Sequence, residues 1–181
     1  MNEIIDDEYL NFEEMINSSK ISSRAKIALR IISTRWNPKI LNQHQYDEND
    51  QLSDIVLELV GGEKINVEIK NRGEEARIKD VAIERYSSIK ASTPNGWPFR
   101  LIEKNVTFVI YIWHEQRASI IFKSKELNEW WKQNYGKYTE IKNRPSRNKK
   151  GDTWTSSWSP VPVSDFPENV IDTPQTFWRE N

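Results

Sequence analysis

Residues 106–113 read Val-Thr-Phe-Val-Ile-Tyr-Ile-Trp, a run broken by a single polar side chain, Thr107. Successive side chains of a strand point to opposite faces, so a run that is apolar at both odd and even positions needs cover on both sides. The run therefore predicts a central strand, with other elements packed above and below it. Residues 118–122 read as its partner, after a turn at Glu115-Gln116-Arg117. Ser124 then caps a helix to about residue 134 that carries Leu127, Trp130 and Trp131.

A second strand signal lies upstream. Residues 53–60, Ser-Asp-Ile-Val-Leu-Glu-Leu-Val, and 64–70, Lys-Ile-Asn-Val-Glu-Ile-Lys, both alternate and flank Gly61-Gly62-Glu63. That pattern predicts a β-hairpin. A two-residue loop would mix polar and apolar side chains on both faces. A three-residue loop sets Val60 opposite Lys64, Val56 opposite Glu68 and Asp54 opposite Lys70. It also gathers Ile55, Leu57, Leu59, Ile65, Val67 and Ile69 on one face. A one-residue slip would turn that apolar set outward, so the three-residue loop is the predicted one. It brings Asp54, Glu68 and Lys70 together at the end of the hairpin away from the turn.

Around these strands, residues 3–17 read as a short acidic helix and 20–36 as a second helix with Ile21, Ala25, Ala28, Leu29 and Ile32 in a stripe, ended by Pro38. Residues 39–51 read as a loop or short edge strand. Residues 74–91 read as a helix, with Ile78, Val81, Ala82, Arg85 and Ile89 along one side. Residues 92–98 read as a loop. Residues 151–181, rich in Trp and Pro, read as an irregular segment that wraps the core. The expected fold is α/β in the α+β sense: one domain over 1–181, a mixed sheet flanked by helices, with the core over 20–135 and a basic loop and wrapping segment over 136–181.

Charge is segregated. Residues 1–19 carry six acids and no base, residues 151–181 five acids and one base, and residues 20–150 carry 25 bases against 16 acids. A basic body with acidic ends suits a polyanionic partner. With no cysteine and two histidines, His44 and His114, a thiolate or histidine-rich zinc site is excluded; a metal here would be a hard, oxygen-bound cation. No apolar run reaches the length of a membrane span and the acidic N-terminus is unlike a signal peptide, so a cytoplasmic protein is expected.

Two carboxylates and a lysine on adjacent strand ends suit metal-dependent phosphodiester hydrolysis. Mg²⁺ offsets phosphate charge and activates water, and it takes one or two carboxylates while keeping several waters. Asp54 and Glu68 would supply these, with the backbone carbonyl of Ile69 as a third ligand. Lys70 projects from the same face as Glu68, where it could hold the attacking water or stabilise transition-state charge. The competing reading is an amphipathic hairpin whose Glu and Lys are simply solvated.

Asp54, a short hairpin and Glu68-Ile69-Lys70 resemble the signature of the PD-(D/E)XK nuclease superfamily, which includes restriction endonucleases and Holliday-junction resolvases. The resemblance covers residues 20–122 and extends to the order of elements: a helix, a three-strand meander, a helix and a further strand. It implies a restriction-endonuclease-like core, Mg²⁺ (with Mn²⁺ able to substitute) on Asp54 and Glu68, and a catalytic Lys70. Ser53 stands where many members have proline. Residues 20–36 hold no acid, which leaves Glu13, Glu14 and Glu58 as candidates for an additional carboxylate. Ala82 stands where exonuclease-like members carry a glutamine four residues before Tyr86, which argues against that branch.

The expected activity is cleavage of double-stranded or branched DNA, with a homodimer able to cut both strands. The alternative is a non-catalytic nucleic-acid-binding or protein-interaction module on the same fold. Arg72, Arg77 and Lys79 are candidates for phosphates beside the cut, and Lys142, Arg144, Arg147, Lys149 and Lys150 for the phosphate backbone beyond it. As plain surface charges they would look the same. Trp97, Trp154 and Trp158 are candidates for base stacking; Trp113, Trp130 and Trp131 are read as core, and His114 as structural.

Overall fold

The computed structural model describes residues 10–11, 23–36, 40–42, 55–59, 62–72, 79–147, 151 and 153–177. In chain order these hold β1 (Leu10–Asn11), α1 (Ser23–Trp36), β2 (Ile40–Asn42), β3 (Ile55–Glu58), β4 (Lys64–Arg72), β5 (Asp80–Tyr86), α2 (Trp97–Arg100), β6 (Phe108–Trp113), β7 (Ala118–Lys123) and α3 (Ser124–Asn134). They continue with β8 (Ile141–Lys142), β9 (Ser146–Arg147), β10 (Thr153–Trp154), β11 (Ser157–Pro162) and β12 (Ile171–Phe177). The main sheet has seven strands in the order β1-β2-β3-β4-β6-β7-β12.

The apolar run is β6, and it sits inside this sheet. It pairs in parallel with β4 and antiparallel with β7. Both of its faces are covered, as its composition demands. On one, Ile110 and Ile112 join Ile65, Val67 and Ile121 beneath Ala28 and Ile32 of α1. On the other, Val109, Tyr111 and Trp113 join Val81, Ile83, Val161, Leu127 and Trp131. Each large apolar side chain so enclosed contributes roughly 1.5–3 kcal/mol, and the set fixes which face of β4 can remain polar.

The second layer is a three-stranded sheet in the order β5-β11-β8. Two bonds pin it to β6: the Ala82 N–H donates to the Tyr111 hydroxyl at 2.9 Å, and the Trp113 Nε1–H to the Asp80 carbonyl at 3.1 Å. Helices α2 and α3 complete the layer, tied together by the Asn128 side-chain amide donating to the Pro98 carbonyl at 2.6 Å.

Several elements differ from expectation. Within the stretch read as a helix over 74–91, residues 80–86 are strand β5. Val81 and Ile83 are both fully buried, which is period-two alternation, and the partner that selects it, β11, lies far along the chain. Leu10 and Asn11, within the stretch read as an acidic helix over 3–17, pair antiparallel with Leu41 and Ile40. The C-terminal segment read as irregular supplies β11 and β12, an edge strand of the main sheet. Its prolines are tolerated by position. Pairing of β11 with β8 ends at Trp158, so Pro160 and Pro162 lie where that side of the strand has no partner among the described residues to receive an N–H. Around Pro174 the β12 register shifts between Thr173 and Thr176.

An ion pair closes α1 onto β12. Arg35 donates to both carboxylate oxygens of Asp172, at 2.9 and 3.1 Å. Burial would push the Asp172 carboxyl up, but the guanidinium and the Thr173 hydroxyl outweigh it and hold the group below the ordinary carboxylate range. A depressed carboxyl stabilises the fold above its unfolded pKa of about 3.9, and the contribution is lost as pH falls through the lower folded value. Arg35→Met is therefore expected to lower stability at pH 7 by about 1 kcal/mol, given that Arg35 is solvent-exposed. The difference from wild type should shrink as pH falls below about 4 and go on shrinking toward the lower folded value. Thermal melts between pH 3 and 7 check this, and a difference that persists unchanged at pH 3 would contradict it.

Candidate functional site

Strand β4 divides its side chains between two environments. Ile65, Val67 and Ile69 point toward α1. Glu68, Lys70 and Arg72 lie level with Val109, Tyr111 and Trp113 and point into the second layer. The carboxylate of Glu68 is thus placed against apolar side chains of β6 and the second layer, and the residue is only 4% exposed. Its Oε1 accepts a hydrogen bond from the Lys70 ammonium, forming an ion pair. Its Oε2 is buried and has no hydrogen-bond partner among the described residues. A buried carboxylate oxygen left without a donor is costly, and a hard cation is a fitting partner for it.

The hairpin that carries this site has a different register from the expected one. Ile55 pairs with Val67, Val56 with Asn66, Leu57 with Ile65 and Glu58 with Lys64. The offset from the predicted register is two residues, so Val56 is not opposite Glu68 and the turn is wider. The Leu59 N–H donates to the Glu63 carbonyl at 2.9 Å, the Gly62 N–H returns to the Leu59 carbonyl at 3.0 Å, and Gly62 takes a φ of 80°. Glycine populates that region at little cost. An even offset keeps the parity of the pairing, so β4 retains its predicted division into an apolar and a polar face.

Asp54, which in sequence directly precedes β3, lies outside the described residues, as do Arg77, Lys149, Lys150, Glu13 and Glu14. The pairing that placed Asp54 opposite Lys70 rested on the three-residue loop. Glu58 pairs with Lys64 at the turn end of β3, away from Glu68. Ile69 sits in the ladder beside Ile110 of β6. Among the described residues no three Asp, Glu or His side chains gather into a group.

Trp97 and Trp158 flank the polar row, and neither role was visible in the sequence. The Lys70 ammonium lies 5.7 Å from the centre of the Trp97 ring. Trp97, offered above as a base-stacking candidate, is instead buried. Its backbone N–H donates to Glu84 Oε2 at 3.0 Å, and the Ser87 hydroxyl donates to the same oxygen at 2.9 Å. Further along, the Arg72 guanidinium stacks 4.4 Å above the ring of Trp158, whose Nε1–H donates to Asn143 Oδ1 at 3.1 Å. Arg72 is therefore held on an aromatic face beside the site. The flanking Gly96 and Pro98 were the one local hint that Trp97 had a fixed position.

Lys79 is exposed in the turn before β5, and Lys142, Arg144 and Arg147 are exposed on β8, β9 and the segment between them. Trp113 and Trp131 are fully buried, and Trp130 packs against the same cluster. His114 Nδ1 faces Glu115 at 3.5 Å, far in sequence from the polar row and on the turn after β6. A cavity of about 380 Å³ lies on the opposite face of the sheet, lined by Ile27, Ile31, Ile121 and Phe177; none of its described lining residues is a carboxylate. No helix among the described residues is long and apolar enough to cross a membrane. No family model, curated protein or solved structure matches the chain.

Proposed function

We propose that this chain is a Mg²⁺-dependent endonuclease that hydrolyses phosphodiester bonds in DNA. One observation carries the reading: a buried glutamate with an unpartnered oxygen stands one side-chain position from a lysine on an inner strand of a mixed sheet. The surrounding order supports it. Helix α1 precedes an antiparallel meander of β2, β3 and β4, and β6 then runs parallel to β4. That order resembles the PD-(D/E)XK core, with β5 and the short α2 in place of the helix expected between the last two strands.

In this reading Glu68 and Asp54 would hold Mg²⁺, with the Ile69 carbonyl as a third ligand. The bound ion would offset phosphate charge and lower the pKa of a coordinated water. The protein's own groups do the rest. Lys70 turns from Glu68 to the phosphate, where its ammonium stabilises the charge that builds on the oxygens. The apolar wall of Tyr111 and Trp97 keeps that ammonium in a setting where its field is weakly screened. Arg72 and Lys79 bind phosphates on either side of the cut, and a homodimer would present two such sites to the two strands.

The direct Lys70–Glu68 ion pair favours a second reading, in which the pair is structural and the protein binds nucleic acid without cutting it. The two readings separate on a gel. Incubation with duplex, single-stranded and branched DNA in Mg²⁺ or Mn²⁺ should yield products from the wild type. Asp54→Ala, Glu68→Ala and Lys70→Ala should each abolish them while binding persists. Intact substrate in every lane would leave only the binding module.

A further inference from the structure

We propose that the hairpin of β9 and β10 is a ribbon that docks in a groove of duplex DNA. The proposal rests on the nuclease reading for the purpose of the grip; the grip itself is measured without cleavage. Ser146 pairs with Trp154 and Arg147 with Thr153, and every residue from 141 to 147 is exposed. Arg147 lies on this narrow two-stranded element, Arg144 in the segment that leads into it and Lys142 on the adjoining β8, and the sequence between 141 and 151 contains no acid. A two-stranded ribbon is of a size that B-DNA's major groove admits, and its basic side chains would replace condensed counterions along the phosphates.

The ribbon is locked at its base. Asn143 is the hub. Its N–H donates to the Ser156 carbonyl at 2.9 Å, its side-chain amide donates to the Ser156 hydroxyl at 2.8 Å, and its Oδ1 receives the Trp158 indole N–H. Trp158 in turn carries the guanidinium of Arg72, two residues beyond Lys70 on the same strand face. A duplex held by the ribbon is thereby held in a fixed position relative to Glu68 and Lys70. A single strand is the poorer fit, because it needs a row of open aromatic faces. Trp97 is buried and Trp158 is covered by Arg72, which leaves Trp154, exposed on β10, as a single open indole among the three stacking candidates rather than one of a row.

The test is fluorescence anisotropy of the full chain with a duplex of about 20 base pairs and with the corresponding single strand, in EDTA. Arg144→Ala/Arg147→Ala should weaken duplex binding by about tenfold or more at 0.1 M salt. It should also make the plot of log K against log salt shallower by about two. Both side chains are exposed, so the melting temperature should not move. Lys125→Ala/Lys132→Ala, which removes two exposed charges from α3, should change affinity by no more than about twofold.

Unchanged duplex affinity in the hairpin variant, an equal loss in the α3 variant, or an equal loss on the single strand would each overturn the proposal. Weakened duplex binding together with a wild type that cuts no DNA would uphold the ribbon and remove the nuclease reading. Undiminished binding with cleavage intact would do the reverse.

Discussion

Replacing Glu68 by glutamine is expected to lower Mg²⁺-dependent cleavage of duplex DNA about a thousandfold, while duplex binding in EDTA stays within about threefold of wild type. Glutamine keeps the volume of the side chain and can still occupy the wall between β4 and the second layer. What it loses is the negative charge that would hold a divalent cation, and an amide oxygen does not replace it. The fold should not suffer. Glu68 is buried with one oxygen unpartnered, so the carboxylate is costly to desolvate, and the released Lys70 is partly exposed and keeps its place near Trp97. The melting temperature of Glu68→Gln should therefore equal or exceed that of wild type. Reading plasmid nicking and a thermal melt on the same preparation separates lost chemistry from lost folding. Cleavage at the wild-type rate would show that the carboxylate is dispensable.

Gly96→Ala should produce the largest loss of stability at the site. A Cβ at this position would lie 2.1 Å from the Glu84 carbonyl oxygen and 2.5 Å from its carbon. The obstacle is backbone, and it cannot move aside. Glu84 is in the β5–β11 ladder opposite Trp158, and the N–H groups of Asn95 and Gly96 both donate to the Arg85 carbonyl, at 3.1 and 2.9 Å. Gly96 has a φ of −60°, which alanine adopts freely, so the cost comes from contact alone. Overpacking of this kind costs about 3 kcal/mol, a fall in Tm of roughly 6–12 °C for a chain of this size. The loop can relieve the clash only by moving Trp97 away from Glu84, which also withdraws the ring from Lys70. Cleavage measured well below the new melting temperature should thus fall further than the unfolded fraction explains. A melting temperature within about 1 °C of wild type would contradict the close packing.

Local pattern was informative where both the signal and its partner were near in sequence. The apolar run at 106–113 predicted a strand with two covered faces. The strand at 118–122 and the helix over 124–134 were equally legible from their own periodicity, although Ser124, read as the cap, is the first helical residue and Lys123 holds the cap position with no side-chain capping bond. The hairpin shows a finer limit. Alternation fixes which face a side chain takes, but not the offset between strands, and the wider turn closed by Leu59 and Glu63 moved the pairing by two residues. Glu68 and Lys70 still share a face, because both lie on β4.

What could not be read locally was set by distant contacts. Val81 and Ile83 fit a strand once β11 is beside them, whereas Val81, Ala82 and Arg85 alone resemble one side of a helix. Pro160, Pro162 and Pro174 disguise two strands whose edge positions make proline harmless. The Trp97–Lys70 and Trp158–Arg72 contacts likewise join residues far apart in the chain. No spacing rule could have paired them.

Cleavage of an end-labelled duplex by the wild-type chain, as Mg²⁺ is added back to an EDTA-stripped buffer, tests the role of Glu68 most directly. The expected result is no product without the metal, a rate that rises with its concentration, and rates about a thousandfold lower at every concentration from Asp54→Asn or Glu68→Gln. Intact duplex throughout the wild-type titration in Mg²⁺ and Mn²⁺, or equal rates from wild type and Glu68→Gln, would contradict it.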